Sequence, residues 1–121
     1  MGTFHYEFEL AAMGGAQWEI VDAMVDTGAT YSWVPRDILE RLGIHPTETS
    51  EFILADGKHV TYPLAWVQMR IDGKKTFSIC VFGEPGSTPL LGAFALEGLR
   101  LAAGPFNKRL IPVPGYLLRT S

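Results

Sequence analysis

The stretch Ala23-Met24-Val25-Asp26-Thr27-Gly28-Ala29-Thr30 decides how this chain is read, because an apolar run delivers an acid, a hydroxyl and a glycine in succession. A given tetrapeptide such as Asp-Thr-Gly-Ala arises by chance in roughly one in several hundred chains of this length. An ordinary turn would use the same residues, with Asp26 accepting a backbone hydrogen bond and Gly28 supplying a positive φ. The preceding strand shifts the balance. Trp18 to Val25 becomes more apolar toward Ala23-Met24-Val25, so the acid sits at the end of a buried strand, rigidly placed, near backbone N–H groups and partly desolvated. Water activation by a carboxylate needs that setting.

Working outward, Thr3 to Leu10 alternates, with Phe4, Tyr6, Phe8 and Leu10 on one face and His5, Glu7 and Glu9 on the other, as in a half-buried strand. Met13-Gly14-Gly15-Ala16 turns the chain. Tyr31 to Val34 reads as a third strand, and Pro35 suits the first position of a helix that buries Ile38, Leu39 and Leu42 and ends at Gly43. Two hairpins follow. Phe52-Ile53-Leu54 and Val60 to Leu64 flank Ala55-Asp56-Gly57-Lys58, while Trp66 to Ile71 and Thr76 to Phe82 flank Asp72-Gly73; both carry the Asp-Gly signal of a type I′ turn. Beyond the loop Gly83 to Thr88 come the apolar Pro89-Leu90-Leu91-Gly92, a short helix over Ala93 to Leu99, and strands at Leu101 to Ala103 and Leu110 to Val113 around Gly104-Pro105. Short strands with frequent turns predict an all-β barrel or sandwich with one or two short helices. Residues 1–121 contain no linker, low-complexity tract or repeat and are expected to form a single domain.

Composition narrows the function classes. With 47% hydrophobic residues, 19% charged residues and a formal net charge of -3, the chain is neither disordered nor a polyelectrolyte binder, and no nucleic acid partner is expected. Lys74-Lys75 and Lys108-Arg109 read as solvated loop pairs. The single cysteine, Cys80, excludes an intrachain disulfide and, flanked by Ile79 and Val81, is expected to be a buried, inert thiol in a reducing, cytoplasmic setting. No run reaches the ~18 apolar residues of a membrane span, Met1 to Leu10 lacks the pattern of a signal peptide, and Tyr6 stands where myristoylation after Met1-Gly2 needs Ser or Thr. His5, His45 and His59 have no metal-ligand spacing, no serine sits in a Gly-x-Ser-x-Gly elbow, and Gly83 to Thr88 lacks the lysine of a phosphate loop, so neither metal nor cofactor is expected. Trp18, Trp33 and Trp66 read as core or interface residues.

The segment around Asp26 resembles the active-site loop of retropepsin-like aspartic peptidases, the retroviral enzymes and their short bacterial relatives. The resemblance continues in order along the chain. Phe52 to Pro63, with its tip at Asp56-Gly57, stands where that family has a flap over the substrate; Leu90-Leu91-Gly92, 66 residues after Asp26, stands where it has a second apolar loop. Ala93 to Leu99 and Leu110-Ile111-Pro112 match its helix and closing strand. The resemblance implies a closed, mainly antiparallel β-barrel, a homodimer, and hydrolysis of peptide substrates by a water activated between two Asp26 carboxylates, one from each subunit. Asp22, Asp37, Asp56 and Asp72 lack the motif, so the second acid comes from the partner. Thr27 would lock the two loops together and Gly28 would let its backbone approach the carboxylates. Ala29, Leu54, Ala55, Asp56, Gly57 and Leu90 would contact substrate. Two departures stand out: Ala93 replaces the arginine that in retroviral relatives pairs with an acid beyond the catalytic loop, where this chain has Thr30 and Tyr31, and the flap carries one glycine, Gly57. A peptide-binding or dimerisation module without turnover is the alternative.

Overall fold

Alternating apolar residues build the first strands. In the computed structural model, which describes residues 4–104, 106 and 108–114, β1 (His5–Ala12) buries Phe8 and Leu10 and turns His5 and Glu7 to solvent. The expected start at Thr3 and the Pro105 turn lie outside the described residues. After a turn with Gly14 at φ 72, β2 (Glu19–Val25) returns antiparallel, placing Val21 opposite Phe8 and Ala23 opposite Tyr6. Trp18 stands just before β2, and the Arg70 guanidinium lies 3.9 Å from the centre of its ring.

β3 (Ser32–Pro35) leads into α1 (Arg36–Arg41). Pro35 closes the strand with extended backbone instead of opening the helix, which starts at Arg36, one residue later than expected. Gly43, at φ 76, donates to the Glu40 carbonyl (2.9 Å) and ends α1 as its sequence position implies.

The two expected hairpins share one strand. β4 (Glu48–Ile53) and β6 (Lys74–Gly83) both pair with β5 (His59–Ile71), a continuous run of 13 residues where the sequence suggested two strands. β5 exchanges neighbours at Leu64. Up to that residue it pairs with β4; from it onward it pairs with β6, and Val67 to Arg70 also pair with β1 on the edge that β4 has left. Pro63, which has no N–H to donate, falls just before β6 joins, where the sheet tolerates it.

The Asp72-Gly73 turn has φ of 50 and 82 at its two residues, as a type I′ turn requires. The β4–β5 turn differs from expectation. Leu54 N bonds to Lys58 O (2.8 Å), Gly57 N bonds to Leu54 O (2.8 Å), and positive φ occurs at Gly57 alone, which makes a three-residue loop with glycine in the left-handed position. The extra residue lets Asp56 keep ordinary backbone angles and cap Lys58 N with its carboxylate at 2.9 Å.

β7 (Leu90–Leu91) lies parallel to β2 and antiparallel to β3, and β3 runs parallel to β6, so the mainly antiparallel sheet contains parallel joints. The seven strands follow the order β1-β2-β7-β3-β6-β5-β4, with the additional β1–β5 pairing. α2 (Ala93–Leu99) packs against β6, and β8 (Leu101–Ala103) with β9 (Leu110–Pro112) forms a separate two-stranded sheet. Phe8, Leu10, Leu39, Met69, Leu91 and Leu99 fill the core, each burial contributing about 2 kcal/mol. Leu91, fully buried, anchors the two-residue β7 in the core. Cys80 is fully buried and its thiol is pushed well up by desolvation, as its sequence neighbours suggested. Trp66, in contrast, is 44% exposed and is no core residue, because it points outward from β5 while Ala65 and Val67 point in.

Candidate active site

The end of β2 is clamped from the side by β7. Met24 N donates to Pro89 O (2.9 Å) and Asp26 N to Leu91 O (3.0 Å), so the backbone of the candidate acid is fixed on a buried element. Immediately afterward the chain folds back, with Ala29 N donating to Asp26 O (3.1 Å) and Gly28 N to Asp26 Oδ1 (3.0 Å). The half-buried carboxylate is thereby oriented by its own loop. A Cβ on Gly28 would stand 3.2 Å from Asp26 Oδ1, tight enough to disturb this bond.

The loop is fastened to α2 by its main chain. Ala93 N donates to Ala29 O (2.8 Å) and Phe94 N to Thr30 O (3.0 Å), so backbone bonds hold together the two segments that an arginine–acid pair would bridge in retroviral relatives. Between them, Gly92 N donates to the buried Ser32 Oγ (3.0 Å). Gly92 has an ordinary φ of -96, and its requirement is space: a Cβ there would fall 2.7 Å from Tyr31 O and 2.8 Å from Ala29 O.

Asp26 opens on a cleft of about 680 Å³. One wall consists of Gly28, Ala29, Thr30, Tyr31 and Trp33, the other is the run Glu51 to Ala55 of the β4–β5 hairpin, and Leu90 contributes from β7. Aromatic contacts join the walls. Trp33 meets Phe52 (5.2 Å between ring centres) and Tyr62 (4.9 Å), and Tyr31 meets Phe52 (6.4 Å) and Phe94 (6.1 Å) edge-on. Another hollow, about 530 Å³, is lined by Arg36, Tyr62 and Glu84 among others and receives no residue of the Asp26 loop.

Of the residues expected at the site, Asp26, Gly28, Ala29, Leu54, Ala55 and Leu90 meet at the cleft. Thr27 is exposed beside it, and Asp56 and Gly57 sit at the exposed hairpin tip without lining it, because the Asp56 carboxylate is turned back onto Lys58 N. Sequence reasoning missed Thr30, Tyr31, Trp33, Glu51, Phe52 and Ile53. For Trp33 a signal existed: Ser32 and Val34 are buried in β3, so the residue between them faces the other way, toward the cleft instead of the core.

A family model described as "gag-polyprotein putative aspartyl protease" matches residues 15–97, from before β2 into α2. Comparison with curated proteins gives no match. Among solved structures, the solution structure of the Simian Foamy Virus (mac) protease superposes with a TM-score of 0.52 at 21% identity, covering 76% of this chain and 92% of that one. The crystal structure of a retropepsin-like aspartic protease from Rickettsia conorii gives a TM-score of 0.59 at 21% identity, covering 88% of this chain and 79% of that one. At such identities the structures speak for the fold, and the family match, which spans well over half of the chain, speaks for membership. This chain belongs to the gag-polyprotein aspartyl protease family and has the retropepsin-like fold.

Proposed function

We propose that the chain is an aspartic endopeptidase that works as a homodimer and hydrolyses extended peptides with a water held between two Asp26 carboxylates. The observation that carries this reading is the placement of Asp26, on a clamped strand end with its carboxylate oriented by Gly28 N–H, opening on a cleft. Two carboxylates brought close together do not both ionise cheaply, so one keeps a proton and polarises the scissile carbonyl while the other takes a proton from the attacking water. The amine then leaves with a proton returned by the pair. One chain supplies one such acid, since Asp22 pairs with His5 (3.3 Å), Asp37 sits in the first turn of α1 away from the cleft, Asp56 caps Lys58 N and Asp72 accepts from the Tyr6 hydroxyl (2.9 Å). The second carboxylate is therefore assigned to Asp26 of another copy across a two-fold axis, with the exposed Thr27 beside it.

Extended substrates fit the far wall. Five consecutive residues, 51 to 55, line the cleft, so it follows an edge of the hairpin and not one face, and β4 ends the strand order. A peptide laid there gains main-chain bonds to an edge that no strand covers among the described residues. Ile53 and Leu54, 69% and 40% exposed, favour apolar side chains near the cut, and the hairpin acts as the flap. The β1–β5 pairing, which brings the strand order back to its start, supports a closed barrel.

The test is incubation of purified protein with a mixture of unstructured peptides and mass spectrometry of the products, with Asp26→Asn alongside. Cleavage by the wild type and none by a folded Asp26→Asn supports the reading. Peptides held but never cut would turn the chain into a binding module, and wild-type cleavage by Asp26→Asn would remove Asp26 from the chemistry.

A further inference from the structure

We infer that Glu51 is a specificity-determining residue that selects peptides carrying a lysine or arginine along the β4 edge, an inference that rests on the peptidase reading and names its substrate class. The cleft is lined by apolar, aromatic and small residues, with Asp26 and Glu51 its charged groups. Asp26 is committed to its loop and to the chemistry. Glu51, bonded through one oxygen to His59, keeps the other to read charge.

Its position suits that role. The Glu51 side chain is 66% exposed, and among the described residues its carboxylate bonds only to His59, through Oε2 at 3.2 Å from Nδ1, which leaves Oε1 open to a ligand. Neighbouring strand residues face opposite ways, so Phe52 packs on Trp33 and Tyr31 while Glu51 shares the other face of the hairpin with His59, where a peptide strand along β4 would set a long basic side chain across from the carboxylate. Arginine also offers a planar fork that matches a carboxylate. Strand residues advance roughly 3.3 Å each, which puts Glu51 about 7 Å along β4 from Ile53, where the strand gives way to the turn. The basic residue is thus expected a few positions from the one held beneath the tip. An acidic residue at the same place would meet repulsion from Glu51.

Exposed ion pairs are weak, so the expected preference is modest, about three- to fivefold in kcat/KM over a neutral side chain of similar length. To test it, a peptide cut by the wild type is resynthesised with lysine, norleucine or glutamate scanned through the positions on either side of the scissile bond. One position is expected where lysine is favoured over norleucine and glutamate is disfavoured, with the preference shrinking as salt rises. In Glu51→Gln the lysine-to-norleucine ratio at that position should fall toward one, and Glu51→Lys should favour glutamate there. An unchanged ratio in Glu51→Gln, or no position favouring lysine in an enzyme that cuts peptides, would overturn the inference and leave the peptidase reading intact. If the wild type cuts nothing, the peptidase reading falls, and fluorescence anisotropy of the same lysine and norleucine peptides decides Glu51: a lysine preference lost in Glu51→Gln supports the role, and equal binding overturns it.

Discussion

The main-chain N–H of Gly92 donates to the fully buried Oγ of Ser32 at 3.0 Å, joining the segment after β7 to the segment after Asp26. Around this bond the two stretches touch backbone to backbone, since Tyr31 O and Ala29 O stand where a Cβ on residue 92 would go. The Asp26 loop is therefore positioned from outside its own motif. Ser32→Ala should strand a buried N–H and lower stability by about 1–3 kcal/mol. Gly92→Ala should do more, because it drives a methyl into two carbonyl oxygens and separates α2 from the loop that orients Asp26. Urea denaturation and peptide cleavage measure the two effects. A Gly92→Ala protein with wild-type stability and rate would refute the crowding.

Much of this arrangement was legible in the residues. The apolar approach to Asp26, the helix over Ala93 to Leu99 and the I′ turn at Asp72-Gly73 follow from local pattern and turn chemistry. Other features depend on partners distant in sequence. β5 is one strand because β4, β6 and β1 share its edges, which nothing within His59 to Ile71 announces. Glu51 and Phe52 reach the cleft only because the hairpin leans toward the Asp26 loop. Likewise, Asp56 does not line the cleft, and its carboxylate accepts from Lys58 N two residues on, a bond set by the three-residue turn.

If each subunit contributes one Asp26, a mixture of subunits reports it. Equimolar wild type and Asp26→Asn, allowed to exchange, would leave on the order of one quarter of the dimers with two acids. Specific activity should fall to about that fraction of an equal total of wild type, and dilution of the wild type should lower specific activity as dimers separate. Activity that tracks the wild-type fraction linearly, with sedimentation as a monomer, would show that one chain suffices.

Acid should weaken the protein partly through Glu9. Arg70 holds the Glu9 carboxyl below its ordinary value of 4.5, chiefly by hydrogen bonds from Nε (2.7 Å) and Nη2 (3.2 Å), which outweigh the opposing effect of desolvation, with a lesser contribution from its charge. Because the folded value lies below the unfolded one, this stabilisation is fully present above pH 4.5 and is lost as pH falls through the lowered folded value. The gap in Tm between wild type and Arg70→Gln should accordingly narrow as pH drops through that range. A remainder should persist at low pH, since the Arg70 guanidinium also lies over Trp18. A gap independent of pH would mean that the Glu9 pair contributes nothing.

Cys80 should report opening of the fold. It lies fully buried in β6, opposite Ala65 of β5 on one side and Ser32 of β3 on the other, and desolvation raises its thiol well above the ordinary range. The thiolate is the reactive species, so both access and ionisation protect Cys80 in the folded chain. Labelling by a thiol reagent should be slow in native buffer, should accelerate with urea below the unfolding midpoint, and should reach one equivalent once the chain is unfolded. Because Ser32 also anchors Gly92, Ser32→Ala should speed native labelling by the factor that its loss of stability predicts, roughly tenfold for each 1.4 kcal/mol when reclosing outpaces reaction. Rapid labelling of native wild type would place Cys80 at an accessible surface. Equal rates in wild type and a destabilised Ser32→Ala would show that the strand carrying Cys80 opens independently of the Asp26 loop.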